Sequence, residues 1–439
     1  MTQTISRLYD AKAETMKRDE LRQLQIERLQ STLNRVYRNV AFYHGAFDAH
    51  RVNLEKLKDL DMLTELPFTT RQDLAGAYPY DMFAVPLRDI VRIHSTSAAS
   101  DRPIVVGYTH NDLRNWTDCM ARLLVAAGVD QHDVVQIAID YNITAGAFGF
   151  HQGAQRLGAS VIPASLTMGV ERQLVIMRDF KTTVLVTTPG YAISLAAGMD
   201  HIQLHPERLT LRLGLFGGER WSEELRQQVE RSLHITSIDT YGLAEVMGPG
   251  VAGECHLRNG LHINEDHFIV EVIDPRTLKA LPAGQEGELV FTTITKEGFP
   301  LIRYRTGDVA AINPEPCACG RTFVRMTRPS GRTDDRILFG GIGFYPSQIE
   351  SILAASEGLS THFQIILDRV GGADTIEIKV EISEKIPGLD EIKTLETLRT
   401  NMMSKIKTAL GVDAKVTFVV PRSLRQNGAV QRVVDRRAT

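Results

Sequence analysis

The chain has 439 residues, 43% of them hydrophobic and 23% charged, with a formal net charge of −3. That length asks for two or three domains, the composition is that of an ordinary globular protein, and the small negative charge supplies no basic field for nucleic acid. No apolar run approaches the roughly 20 residues that a membrane-crossing helix needs, so no membrane partner is expected. The first 25 residues, "MTQTISRLYDAKAETMKRDELRQLQ", are charged and amphipathic and lack a signal-peptide core, which predicts a cytoplasmic protein. The same charged helix is a candidate surface for packing a second copy as a homodimer.

Residues 10–40 carry a helical pattern. At 94–103 stands "HSTSAASDRP", a hydroxyl-rich turn between two strand-like runs. Such turns hold phosphate when they carry glycines and a lysine; this one has neither, so phosphate loop, degraded phosphate loop and plain surface turn all remain open. From about 104 to 240, apolar runs alternate with helical patterns: "IVVGYT", "DVVQIAI", "ASVIP", "TTVLVTT", "LRLGLFGG" and "ITSIDTYG" are each adjoined by a helix. This βα alternation predicts an α/β fold with parallel sheet. From about 262 to 328 short strands follow one another without helices, which predicts an antiparallel β subdomain. The last hundred residues mix strands and helices again, as a small mobile α+β domain. The loop "PSGRTDD" marks the boundary. The expected division is 1–332 and 333–439.

Four stretches carry chemistry. "LFGGERWSEEL" (215–225) is a strand end opening into a helix, with Ser222 as N-cap and two glycines that let a ligand approach the backbone. A plain turn fits it as well. "DTYGLAEVMGPG" (239–250) offers an aromatic ring for stacking and a carboxylate for a metal ion near phosphates; a turn with a buried Tyr is the alternative. "IRYRTGD" (302–308) places Asp308 at a strand end, to accept from sugar hydroxyls or to cap a hairpin. "GRTDDRILFGGIGFYPSQIE" (331–350) is either a charged linker or a hinge. Separately, Cys255, Cys317 and Cys319 are three of only four cysteines, too few for a disulfide scaffold. With a histidine from "CHLRNGLHI" they make a Cys₃His zinc set, or they are three reduced cysteines.

Taken in this order and spacing, the stretches resemble the phenylacetate–CoA ligase family of the adenylate-forming enzymes, from about residue 60 to 436. The resemblance is dense in "YGLAEVMGPGVAGECHLRNGLHINEDHF" and "GELVFTTITKEGFPLIRYRTGD". It implies a two-step reaction: an aryl acid is adenylated by ATP with magnesium, and the acyl group then passes to coenzyme A after the C-terminal domain rotates. It implies that Tyr241 stacks on adenine, that Gly217, Gly218 and Glu219 line the adenine edge, and that Asp308 binds the ribose. Arg332 would reach ribose or phosphate, Glu245 would hold magnesium, and Asp334 would be the hinge. "NITAGAFGFHQG" matches the helix of the aryl pocket, with Ala147 and Phe148 as walls and His151 near the carboxylate. Tyr141, Met247, Gly248 and Pro249 complete that pocket. The resemblance also favours His262 over His256 as the fourth ligand of a structural zinc.

Three departures fall on phosphate chemistry. Aligned on Pro103 with the family's phosphate loop, 94–103 carries Ala98 and Asp101 for glycines, Ala99 for a threonine and Arg102 for the lysine, while Ser97 and Ser100 keep hydroxyls. Ala244 stands where the family has Ser or Thr. In "RQNGAVQRVVD", Ala429 stands where the family has its adenylation lysine, and no lysine follows Lys415. A lost charge contact there costs on the order of a few kcal/mol in the transition state. Two functions follow: an aryl-acid CoA ligase with slow or altered adenylation, or a homologue that binds AMP or acyl adenylate and performs only acyl transfer or serves as a non-catalytic partner.

Overall fold

The computed structural model describes residues 7–96, 103–333, 337–339, 342–344, 346–354, 356, 359–370, 373–382, 392–421, 423–426, 429–430 and 432–437. They form two compact units, Met1–Arg220 with Gln228–Pro329, and Trp221–Gln227 with Ser330–Thr439. The division at Pro329 lies inside the "PSGRTDD" stretch.

In the first unit, the strands Ser160–Pro163, Val134–Ile137, Val184–Thr187, Leu213–Gly217 and Thr236–Leu243 lie side by side and parallel. Their near-continuous apolar character follows from burial on both faces: every residue of Val184–Thr187 is buried. The same sheet continues antiparallel through Gly248–Glu254, Leu261–Ile263, Arg325–Met326 and Ile312–Asn313. A second, antiparallel sheet contains Phe268–Ile273, Gly287–Thr293 and Tyr304–Ala310.

Two expectations change. Residues 262–328 do not form one antiparallel sheet: the two ends of that stretch extend the large sheet and its middle builds the other. Alternation identifies a strand, but the edge that it joins is set by which backbone groups the rest of the fold leaves unpaired. "IVVGYT" is not the first parallel strand either. Val105–Tyr108 pairs antiparallel with Arg92–Ser95. Ser97, Ala98, Ala99, Ser100, Asp101 and Arg102 lie outside the described residues.

Thr109 opens the helix His110–Ala127 with a capping box to Asp112, and Gly128 closes it in a left-handed conformation (φ 95°). The helix buries Trp116, Cys119, Met120, Leu123 and Leu124, and large side chains of this kind contribute roughly 1.5–3 kcal/mol each. Helix Gly146–Leu157 approaches it at Gly153, where a Cβ would lie 2.6 Å from that of Met120. Any larger residue there would push the two helices apart.

The N-terminal helical pattern is broken into Ala11–Glu14 and Arg18–Asn39. Glu14 is fully buried and pairs with the equally buried Arg321 at 2.6 Å. The longer helix buries Leu21, Leu29, Leu33 and Val36 within its own chain.

In the second unit, the sheet order is Lys415–Val419, Ala373–Ile382, Leu359–Val370, Val433–Asp435. The helices Pro346–Ala354 and Ile392–Leu410 supply Ile349, Leu353, Met402 and Ile406 to its core, with Ile365, Ile378 and Val416 from the strands. Arg432 holds the Glu350 carboxylate through both guanidinium nitrogens. Arg425–Gln426 and Ala429–Val430 pair as a short hairpin. Asp334 lies outside the described residues.

Candidate active site

The parallel strands end at one edge, as ligand sites of α/β folds require. Leu213–Gly217 and Thr236–Leu243 are neighbours, with Gly217 opposite Thr240. A Cβ at Gly217 would lie 2.4 Å from Thr240 Oγ1, and Gly218 has φ 78°, so two glycines are needed where this strand ends. Glu219 accepts a hydrogen bond from the Gly190 N–H at 3.1 Å, at the start of helix Pro189–His201. A carboxylate there is favoured by the helix dipole.

Tyr241, one residue beyond Thr240, is buried, and its hydroxyl donates to Asp308 Oδ2 at 2.8 Å. Asp308 comes from Tyr304–Ala310 in the second sheet. The two residues expected to meet the base and the sugar are therefore in contact, although 67 positions separate them in the sequence. Phe291 packs beside the Tyr241 ring at 6.2 Å between centroids.

After the strand the chain turns at 244–247. Glu245 is buried and accepts from Arg71 Nη1 at 2.7 Å. Lys296 reaches the same turn from the loop after Gly287–Thr293. It is 1% exposed, and its ammonium donates to the Val246 carbonyl at 2.9 Å and the Glu245 carbonyl at 3.4 Å. Burial pulls its pKa down to about 7, against the opposing pull of the Asp112 and Glu245 charges.

Of the residues expected to wall an acid pocket, Tyr141, Phe148 and His151 meet one another. Ala147 is fully buried on helix Gly146–Leu157, and Phe148 is half-buried beside it. Tyr141 meets Phe148 edge-on at 5.4 Å, and its hydroxyl is hydrogen-bonded to His151 Nδ1 at 3.0 Å. Burial lowers the pKa of His151 and raises that of Tyr141, so both are neutral near pH 7. Tyr108 and Trp116 stack at 5.3 Å. The Tyr108 hydroxyl donates to the Met247 carbonyl (2.8 Å) and the Trp116 indole to the Pro249 carbonyl (2.7 Å). Gly248 (φ 105°) abuts the Trp116 ring. His94 packs edge-on to Tyr108 and Trp116, with its Nδ1 on the Ile143 carbonyl at 3.0 Å.

Arg332 lies on the short strand Gly331–Arg332 of the second unit and is half-buried. Arg71, His94, Tyr108, Trp116 and Lys296 were not singled out from the sequence. "TKEG" looks like a solvated loop, and nothing local marks its lysine as buried. Trp116 alone left a signal, as one of two tryptophans placed on the apolar face of a capped helix.

At the far end of Gly248–Glu254, the cysteines converge. The ligand atoms of Cys255, His262, Cys317 and Cys319 all lie within 4.8 Å of one another. His256 is not in this cluster. His262 Nε2 is 3.5 Å from Cys319 Sγ, and Arg321 donates to the same sulfur at 3.6 Å. Hydrogen bonds from Cys255 and then His262 pull the Cys319 thiol strongly down, while Cys255 is pushed up. His262 Nδ1 is buried without a hydrogen-bond partner among the described residues.

Residues 174–295 match the family model of AMP-binding enzymes, and 341–437 match that of the AMP-binding enzyme C-terminal domain. The chain is 41% identical over 448 residues to a phenylacetate-coenzyme A ligase of Thermus thermophilus, covering 98% of this chain and 100% of that one. It is 41% identical over 428 residues to the Escherichia coli protein of the same name, covering 97% of each. A crystal structure of 2-hydroxyisobutyryl-CoA ligase in the postadenylation state, with 2-HIB-AMP, superposes with a TM-score of 0.91 at 28% identity, covering 100% of this chain and 94% of that one. Fold and site thus define an adenylate-forming acid–CoA ligase architecture. Within that class the chain belongs to the phenylacetate–CoA ligase family. Among the described residues no helix is long and apolar enough to cross a membrane.

Proposed function

We propose that the protein joins an aryl carboxylic acid to coenzyme A through an acyl adenylate. The observation that carries this is the Tyr241–Asp308 pair beside the end of the Gly217 strand: a ring for adenine and a carboxylate for ribose hydroxyls, held together and buried. Gly217, Gly218 and Glu219 are assigned to the base edge, and Arg332 to ribose or phosphate. Tyr141, Ala147, Phe148, Met247, Gly248 and Pro249 wall the acid, with neutral His151 beside its carboxylate. An oxygen of that carboxylate attacks the α-phosphorus and pyrophosphate leaves. The thiolate of coenzyme A then attacks the acyl carbon and AMP leaves.

Glu245 is the residue to hold magnesium. A single buried carboxylate suits an ion that keeps its waters and shares phosphate oxygens. Magnesium would supply charge neutralisation of the leaving pyrophosphate. Cys255, His262, Cys317 and Cys319 suit a structural zinc: the donor set is right, the four atoms converge, and hydrogen bonds pull the Cys319 thiol toward its ionised form. A cytoplasmic location remains the expectation for an enzyme using these substrates.

Adenylation is the slower half-reaction here, because Ala429 and Ala244 offer no group to the phosphates. ATP–pyrophosphate exchange with a panel of aryl acids tests both statements. The expected result is weak exchange that Ala429→Lys raises about tenfold or more, with transfer from preformed acyl adenylate to coenzyme A unchanged. No exchange by either protein, with tight binding of an acyl-AMP analogue, would instead establish a homologue confined to acyl transfer or to adenylate binding.

A further inference from the structure

The segment 245–250 is held by side chains. Lys296 donates to the carbonyls of Glu245 and Val246, Tyr108 to that of Met247, Trp116 to that of Pro249, and Asn264 to that of Gly250. Lys296 is the charged member of this row and the one that reaches two carbonyls. Its ammonium also sits 4.6 Å from the centre of the Tyr108 ring and 5.5 Å from that of Phe299, so aromatic faces take the charge that water would take elsewhere.

The lysine is itself placed from a distance. The next two backbone N–H groups, of Glu297 and Gly298, donate to the Asp112 carboxylate at 2.7 and 2.9 Å. Glu297 in turn accepts from Thr109 and Asn111, both at 3.0 Å. Asp112 is the capping-box residue of helix His110–Ala127, the helix that also presents Trp116 to Pro249. One rigid helix therefore sets the Lys296 end of the row and its Pro249 member. A buried lysine with no carboxylate in direct contact among the described residues is costly unless its donors are used, and this one uses them on the turn between the Glu245 carboxylate and the Met247–Pro249 wall.

We propose that Lys296 is a positioning residue that locks the 244–247 turn, so that the cation-holding carboxylate Glu245 and the acid-pocket wall Met247–Pro249 are set as one unit for adenylation. The inference rests on the acid–CoA ligase reading of the site. It assigns Lys296 no contact with substrate. Since the carboxylate of Glu245 matters when ATP reacts and the thiol attack needs no cation at that position, the role belongs to the first half-reaction.

The test compares Lys296→Met, which keeps chain length but no donor, with Lys296→Gln, which keeps a donor without the charge. Pyrophosphate exchange is measured across a magnesium titration, and transfer of a preformed acyl adenylate to coenzyme A is measured separately. For Lys296→Met the expected result is at least a tenfold lower exchange rate and a magnesium requirement shifted at least threefold upward, with transfer within threefold of wild type. Lys296→Gln should recover part of the exchange, and it carries the test alone if the Met variant does not fold. Equal losses in both half-reactions would make Lys296 merely structural, and unchanged exchange with unchanged magnesium dependence would remove its role; either result overturns the proposal. Absence of exchange in the wild-type protein with every acid would defeat the reading of the site, and this role with it, whereas wild-type exchange matched by both variants would defeat the role of Lys296 alone.

Discussion

One strand, Gly248–Glu254, joins two regions built on opposite principles. At its start, the polar groups of the 245–250 segment are satisfied by the chain's own side chains, with Lys296, Tyr108 and Trp116 as donors. At its end, about 20 Å away for seven extended residues, Cys255 enters a cluster in which the Cys319 thiol is pulled toward ionisation and a buried imidazole nitrogen of His262 has no partner among the described residues. Between them, Arg122 bonds Asn264 and both oxygens of Asp266, while Asn264 donates to the Gly250 carbonyl. The first region is complete once folded. The second brings together the four donors proposed to hold zinc. A self-completed site and a proposed metal anchor can thus share one strand, and perturbing the anchor should change stability more than chemistry.

The largest expected effect breaks the anchor. Zinc at about a thousand times its dissociation constant stabilises a folded state by about 4 kcal/mol, so chelation, or Cys317→Ser, should lower the thermal midpoint by roughly 6 °C. Wild-type protein should carry one zinc per chain by elemental analysis, and the variant much less. A zinc-loaded and a zinc-free protein that melt together would remove the anchor role.

The brace between the two regions gives the next effect. His267 is hydrogen-bonded to Thr295 at 2.8 Å and faces Asp266 at 3.4 Å, with Arg122 nearby. Burial pushes its pKa down to about 4, against the pull of Asp266. Between pH 4 and the ordinary value near 6.5, the unfolded chain binds a proton that the folded chain does not. Stability therefore rises with pH across that window and is lost as pH falls through it, by up to about 3 kcal/mol. Urea unfolding at pH 4.5 and pH 7 should show this difference in wild type and a clearly smaller one in His267→Gln. An equal difference in the two proteins would assign the acid sensitivity elsewhere.

The smallest effect sharpens the self-completed region. Tyr241→Phe removes the bond to Asp308 and leaves a buried acceptor short of one donor, a loss of about 1 kcal/mol. ATP affinity should weaken about fivefold while zinc content and melting behaviour stay close to wild type. A variant with unchanged ATP affinity would detach the Tyr241–Asp308 pair from nucleotide binding.

The parallel strands were legible because strands buried on both faces are written as unbroken apolar runs, as in "TTVLVTT". The convergence of Cys255, Cys317 and Cys319 was legible because so few residue types ligate zinc and the chain has only four cysteines, while the choice of His262 as their companion came from the family resemblance. Tyr241 and Asp308 were each legible as members of motifs; their hydrogen bond was not, since it joins two different sheets. Lys296, Arg71 and His94 left no local mark. Nor did the pairing of Val105–Tyr108 with Arg92–Ser95, which depends on the competing edges that the fold offers.

By itself the sequence determined which segments are strands and helices, which motifs the chain carries, and that alanines stand at 244 and 429, because these are properties of residue type and near-neighbour order. Only the tertiary structure decided that a lysine from a solvated-looking loop is buried under the Glu245 turn, that Asp308 meets Tyr241, and that residues 262–328 divide between two sheets. Those outcomes rest on long-range packing and on the rule that each buried polar group finds a partner wherever the fold places one.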